Sequence, residues 1–162
     1  PEQGWFAYIL KGGPGTGKTT FLEKLIPQLK ARGLRVAVYK HDAHEFEIDK
    51  KGKDSWRFTA AGADVTVISS NTKAAVMENR YVSPEELVAG IHGVDLIITE
   101  GYKAGPWPKI AMRRRESGND FPIPPEECLA VVTDEPAPGA KRSFGLDMVS
   151  EMADFLKEQA GI

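Results

Sequence analysis

Residues 12–19 read Gly12-Gly13-Pro14-Gly15-Thr16-Gly17-Lys18-Thr19, a complete G-x-x-x-x-G-K-[ST] pattern between the apolar run Trp5 to Leu10 and a stretch of helical periodicity. Few short patterns restrict a chain so strongly, because this one requires a strand, a tight glycine loop and a helix in immediate succession. The residue types follow from the chemistry. Glycines let the backbone turn sharply and aim successive N–H groups at phosphate oxygens, and the helix that follows adds the positive end of its dipole. Lys18 is placed to reach β and γ phosphates as a point charge, and the Thr19 hydroxyl to ligate a magnesium ion bridging them. A nucleoside triphosphate is therefore the first ligand expected at Gly12 to Thr19.

The rest of the chain extends this unit into alternating strands and helices. Phe21, Leu22, Leu25, Ile26 and Leu29 recur at helical spacing up to Gly33, with Pro27 expected to bend or break the helix. Arg35 to Tyr39 reads as a second strand running out into Lys40-His41-Asp42-Ala43-His44. Asp54 or Ser55 is positioned to cap a short helix ending near Gly62, and Asp64 to Ser69 and Lys73 to Met77 read as two short strands. Ser83-Pro84-Glu85-Glu86 is a capping box with proline at the first helical position, opening a helix to about Ile91. Asp95 to Thr99 is apolar on both faces, as a central parallel strand requires. Lys109 to Arg113 and Leu129 to Thr133 supply two further strands, the rest of Gly105 to Pro125 reads as surface loop, and Asp147 is expected to cap a closing helix whose apolar stripe runs from Met148 to Leu156. This alternation implies an α/β fold of the P-loop NTPase kind. Its doubly wound, mostly parallel sheet would carry helices on both faces, in one domain over residues 1–162.

Composition narrows the partners. With 162 residues and 41% hydrophobic content the chain has the size and apolar content of one ordinary domain, and a net charge of -2 gives no basis for general nucleic-acid or membrane-surface binding. Cys128 is the only cysteine, which excludes an intrachain disulfide and a four-thiolate zinc site. No apolar stretch approaches the roughly 20 residues of a membrane span, and no basic region with an apolar signal core opens the chain, so a cytoplasmic protein is expected.

In nucleotide sites of this kind a second magnesium contact comes from an acid at the end of a buried strand beside the loop strand. Asp95 opens the run Leu96-Ile97-Ile98-Thr99 and Glu100 closes it, so Glu100 is expected at the carboxyl edge, with Gly101 allowing close approach of a γ-phosphate. Asp42, ending the second strand, is a candidate to hold a metal-bound water or orient an attacking one. His41 and His44 with Asp42 and Asp49 have metal-compatible chemistry but no zinc spacing, and a polar loop rimming the nucleotide site is the preferred reading. Arg113-Arg114-Arg115 is either an anion contact or a solvated run. An Asn-Lys-x-Asp guanine reader is absent, since Asn71-Thr72-Lys73-Ala74 lacks the closing acid; Asp134 is either a guanine-edge acceptor or an ordinary loop aspartate.

Several blocks beyond the loop are more specific: Lys40-His41 and His44, Asp49-Lys50-x-Gly52-Lys53-Asp54-Ser55, Ala61-Gly62-Ala63, Glu100-Gly101-Tyr102-Lys103 and Pro108-Lys109-Ile110. In this order they resemble the MobB adapter proteins of molybdopterin guanine dinucleotide biosynthesis, and the resemblance covers most of the chain. It implies a homodimeric GTP-binding protein with weak magnesium-dependent GTPase activity that assists the enzyme joining a GMP unit to molybdopterin. The guanine preference rests on this resemblance. By the same route Gly12 to Thr20 carry over as phosphate and magnesium ligands and Glu100 as the strand-end acid, while His41, Asp49, Lys53 and Asp54 form a cluster of unassigned role. Gly13 stands where related ATPases carry an intersubunit lysine. The residues supply no water-orienting glutamine, and Arg113 to Arg115 are the first candidates for an arginine finger. A small-molecule kinase and a non-hydrolysing, nucleotide-gated binding module remain the alternatives.

Overall fold

The computed structural model describes residues 5–41 and 45–162, and the chain gathers into two compact units, residues 1–41 with 88–162 and residues 42–87. In chain order the elements are β1 Phe6–Gly12, α1 Lys18–Ala31, β2 Val36–Lys40, α2 Asp54–Ala60, β3 Val65–Ser69, β4 Ala74–Glu78, α3 Pro84–Ala89, β5 Leu96–Glu100, β6 Lys109–Arg113, β7 Ala130–Thr133, β8 Ser143–Phe144 and α4 Val149–Ala160.

The first unit holds a six-stranded sheet in the order β2-β5-β1-β6-β7-β8, with every pairing parallel. From β1 the chain passes to β2 at one edge, returns to β5 between β2 and β1, and then crosses to β6, β7 and β8 on the other side. The glycine loop therefore leaves the sheet at the reversal of strand order, where open α/β sheets bind ligands. Side chains alternate between two buried faces. Tyr8, Leu10, Ile98 and Met112 turn toward Leu25 and Leu29 of α1 and toward Met152 and Leu156 of α4. Ala7 and Ile97 turn the other way, against Trp5 and Val88, and Ala111 and Val131 do so with Cys128. Cys128 is fully buried and burial raises its thiol pKa, in keeping with a core residue.

The helix α1 runs unbroken through Pro27, so the break allowed for in the sequence does not occur. Proline removes the N–H that would bond the Glu23 carbonyl, and Glu23 and Pro27 both lie on the exposed side of the helix. At its end Arg32 ties α1 to α4, Nε donating to Asp154 Oδ1 at 2.7 Å and Nη2 to Ser150 Oγ at 2.9 Å.

Two expected caps are not made. Met148 occupies the N-cap of α4 with no side-chain cap, so Asp147 stands outside the helix. Lys53 precedes α2, and Ser55 Oγ donates to Asp49 Oδ1 at 3.0 Å instead of capping. The Ser83 cap does form, Glu86 N donating to Ser83 Oγ at 3.2 Å, although α3 stops at Ala89. The two residues of β8 carry no periodicity in the sequence, and the strand exists by pairing with Val131 and Val132.

The second unit holds α2 and the antiparallel hairpin β3–β4, which pairs Val67 with Val76. These two valines are 62% and 64% exposed, so one face of the hairpin carries an apolar strip.

Candidate functional site

The loop after β1 is shaped by close packing as much as by glycine freedom. Gly17 has φ 85°, in the left-handed region that a side chain disfavours. At Gly13 the constraint is space, since a Cβ would lie 2.7 Å from Asn119 Nδ2. That amide donates to Pro14 O at 2.7 Å across 105 residues of sequence, so the segment after β6 buttresses the loop. Sequence reasoning missed Asn119, which lies in a stretch read only as surface loop. Thr16 is buried and its hydroxyl donates to Gly13 O at 2.9 Å, so this side chain holds the loop's shape. Lys18 Nζ donates to Gly12 O at 2.7 Å, which leaves two of its three donors for a ligand. Gly13 to Thr20, including Pro14, Gly15 and the exposed hydroxyl residues Thr19 and Thr20, line a cradle of about 180 Å³.

Register separates the two acids at the ends of β5. Glu100 lies opposite Leu10 of β1 and Lys40 of β2, at the carboxyl edge. Asp95 lies at the other end of β5, where Arg35 donates to its carboxylate from N at 2.8 Å and from Nη2 at 3.2 Å and holds its pKa below the usual range. Past Glu100, Gly101 has φ 91° and donates from N to Leu10 O at 3.0 Å, and Tyr102 has φ 65°. A left-handed tyrosine costs roughly 1–2 kcal/mol. The fold holds it there partly through the buried Thr99 hydroxyl, which donates to Gly101 O at 3.1 Å.

Burial lowers the Lys18 pKa, Lys11 and Lys40 lower it further, and Glu100 opposes them. A bound polyanion favours the charged lysine, so affinity is full below the lowered pKa and falls as pH rises through it. On the GTP-binding reading proposed below, affinity is expected to decline at a lower pH than an ordinary lysine would dictate. Titration calorimetry from neutral to alkaline pH checks this, and a decline of the same size in Lys18→Ala would assign the effect elsewhere.

Around the edge, the Tyr39 hydroxyl lies 3.3 Å from His41 Nδ1, and the His41 ring meets Tyr102 edge-on at 5.1 Å. Asp42 and His44 lie outside the described residues. Among the described residues no group of three or more His, Cys, Asp or Glu side chains converges as a metal site. Asp49 accepts from Ser55 within the second unit, and its Oδ2 is buried without a hydrogen bond.

The arginine run is mostly engaged. Arg113 donates from Nε to Asn119 O at 3.0 Å and pairs through Nη1 with Glu135 at 2.9 Å, while Arg115 Nε reaches the same carboxylate at 3.4 Å. Arg113 therefore props the loop buttress and is not a free finger. Asp134 Oδ1 accepts from Arg115 N at 2.9 Å, and its side chain lines a second cavity of about 380 Å³ that shares Thr16, Gly17 and Thr20 with the cradle.

An all-parallel sheet that releases a complete glycine loop at its reversal point belongs to the α/β proteins of P-loop NTPase-like fold. Within that class, the family described as MobB, molybdopterin guanine dinucleotide synthesis protein B, matches residues 8–134, and the chain belongs to this family. It is 38% identical over 152 residues to the molybdopterin-guanine dinucleotide biosynthesis adapter protein of Haemophilus influenzae, covering 91% of this chain and 85% of that one. The Escherichia coli K12 counterpart is 35% identical over 159 residues, 89% of this chain and 87% of its own. A crystal structure of molybdopterin-guanine biosynthesis protein B aligns with a TM-score of 0.69 at 32% identity, covering 97% of this chain and 100% of the other. Bacillus subtilis MobB aligns with a TM-score of 0.74 at 23% identity over 95% and 96% of the two chains, a likeness of fold. Among the described residues no helix is long and apolar enough to cross a membrane.

Proposed function

We propose that this chain is a cytoplasmic GTP-binding adapter in molybdopterin guanine dinucleotide biosynthesis, acting beside the enzyme that attaches GMP to molybdopterin. The observation that supports the reading is the loop itself, a cradle of about 180 Å³ lined by Gly13 to Thr20, with Lys18 bonded to Gly12 O and two lysine donors still available. Relatives named as adapters of this pathway give the nucleotide its purpose.

The loop N–H groups and Lys18 hold the phosphate charge without reorganising. Thr19 and Glu100 are the residues to hold magnesium, and their oxygen donors suit a hard cation. When bound, the ion neutralises phosphate charge. Gly101 leaves the strand end open to the terminal phosphate. Arg113 is engaged by Glu135 and Asn119, and a missing arginine finger lowers hydrolysis by about 10³ to 10⁵. Turnover is accordingly slow, and nucleotide occupancy is the signal. The exposed Val67 and Val76 strip supplies an apolar surface for a homodimer.

Calorimetric titration of GTP, GDP and ATP with magnesium tests the reading. GTP is expected to bind at least tenfold more tightly than ATP, and equal affinities would remove the guanine assignment. Single-turnover hydrolysis with and without the GMP-transferring enzyme separates the roles. Stimulation by the partner would mark a GTPase, and an unchanged slow rate an adapter.

A further inference from the structure

We propose that the cavity beside the cradle is the nucleobase pocket and that Asp147 and Arg114 select guanine in it. The Asp147 carboxylate would accept from N1–H and the 2-amino group, and the Arg114 guanidinium would donate to O6 or N7. This inference rests on the GTP-binding reading above and supplies the reader that the chain's missing Asn-Lys-x-Asp motif leaves open.

Place comes first. A nucleoside whose phosphates lie in the cradle must leave it through an adjoining space, and this cavity shares Thr16, Gly17 and Thr20 with the cradle. Its volume of about 380 Å³ lies in the range of small-molecule sites, and Phe21, Met112 and Leu146 give it apolar walls for a planar ring.

The polar groups then match one base. Asp147 would ordinarily cap α4, but Met148 takes that position. Met148 N donates to Gly145 O at 3.1 Å, which makes residues 145–148 a tight turn with Asp147 at its third position. A Cβ on Gly145 would lie 3.2 Å from Asp147 Oδ1, so glycine leaves the carboxylate its room. Asp147 lines the cavity, and no other described residue bonds its carboxylate. Asp134, by contrast, already has one oxygen bound to Arg115 N at 2.9 Å. On the opposite side of the charge balance, Arg114 pairs through Nη2 with Glu116 at 3.3 Å, while its Nε is buried without a hydrogen-bond acceptor.

Guanine presents donors at N1 and N2 and acceptors at O6 and N7. Adenine reverses the pattern at positions 1 and 6, placing an acceptor toward a carboxylate and an amino group toward a guanidinium. A carboxylate with an arginine therefore favours guanine twice over, and a site left unpaired rejects the wrong base strongly.

The test is calorimetric Kd for GTP, ATP and xanthosine triphosphate, measured on the intact chain and on Asp147→Asn, with circular dichroism to confirm folding. Asp147 is exposed and caps nothing, so the variant should fold. Loss of GTP affinity by roughly 10- to 100-fold, with a gain in xanthosine triphosphate affinity, is the expected result. A variant that keeps wild-type GTP affinity and gains nothing for xanthosine triphosphate overturns the assignment of Asp147 while GTP-selective binding by the unaltered protein stands. Equal binding of GTP and ATP by the unaltered protein overturns both readings together. Arg114→Lys provides the second arm: its GTP:ATP preference should narrow by about tenfold, and an unchanged ratio removes Arg114 from the pocket's chemistry.

Discussion

Lys18→Ala is expected to weaken GTP binding by on the order of 10²-fold and GDP binding by clearly less. In the free loop Lys18 Nζ sits 2.7 Å from Gly12 O, so the lysine both closes the loop and presents its remaining donors. Losing the first role affects every phosphate ligand alike. Losing the second removes charge-assisted bonds worth about 1.5–3 kcal/mol each, and those to the terminal phosphate exist only for the triphosphate. Since each tenfold in affinity is about 1.4 kcal/mol, one or two such bonds account for the expected difference. Paired calorimetric titrations of GTP and GDP read it directly. Equal losses for both nucleotides would confine Lys18 to holding the loop.

Leu156→Ala is expected to lower unfolding stability by about 2–5 kcal/mol, with a drop in Tm on the order of 10 °C. Leu156 is fully buried in the cluster that packs α4 and α1 onto the sheet. Its truncation forfeits transfer free energy and leaves a cavity under the helix that begins at Lys18. Natural domains hold only about 5–15 kcal/mol in total, so this is a large fraction. Chemical denaturation followed by circular dichroism measures the change, and GTP should restore part of the lost Tm by mass action. A loss under about 1 kcal/mol would show that Phe144 and Phe155, whose rings lie 5.3 Å apart beside it, collapse into the space.

Where the information was local, the sequence was sufficient. The glycine loop announced its own strand, turn and helix, and the uninterrupted apolarity of Leu96 to Thr99 identified a strand buried on both faces. Glu100 was separable from Asp95 by position alone, because a strand has two ends and only one faces the loop. The caps were less legible. Ser83 capped α3 as expected, but Asp147 and Ser55 did not cap, because a short polar side chain next to a helix start has several acceptable partners and tertiary packing chooses among them.

The sequence by itself determined the glycine loop with its strand and helix, the parallel α/β frame and the acid at the strand end, because each depends on residues within a few positions of one another and on the conformations their backbone allows. Only the tertiary structure decided that Asn119 buttresses the loop from 105 residues away, that Arg113 is engaged by Glu135, and that Asp147 is released into a cavity beside the cradle. Those outcomes are competitions between donors and acceptors brought together by sheet order. A linear pattern carries which partners each side chain can accept, and the folded sheet alone sets which of them arrives first within hydrogen-bonding distance.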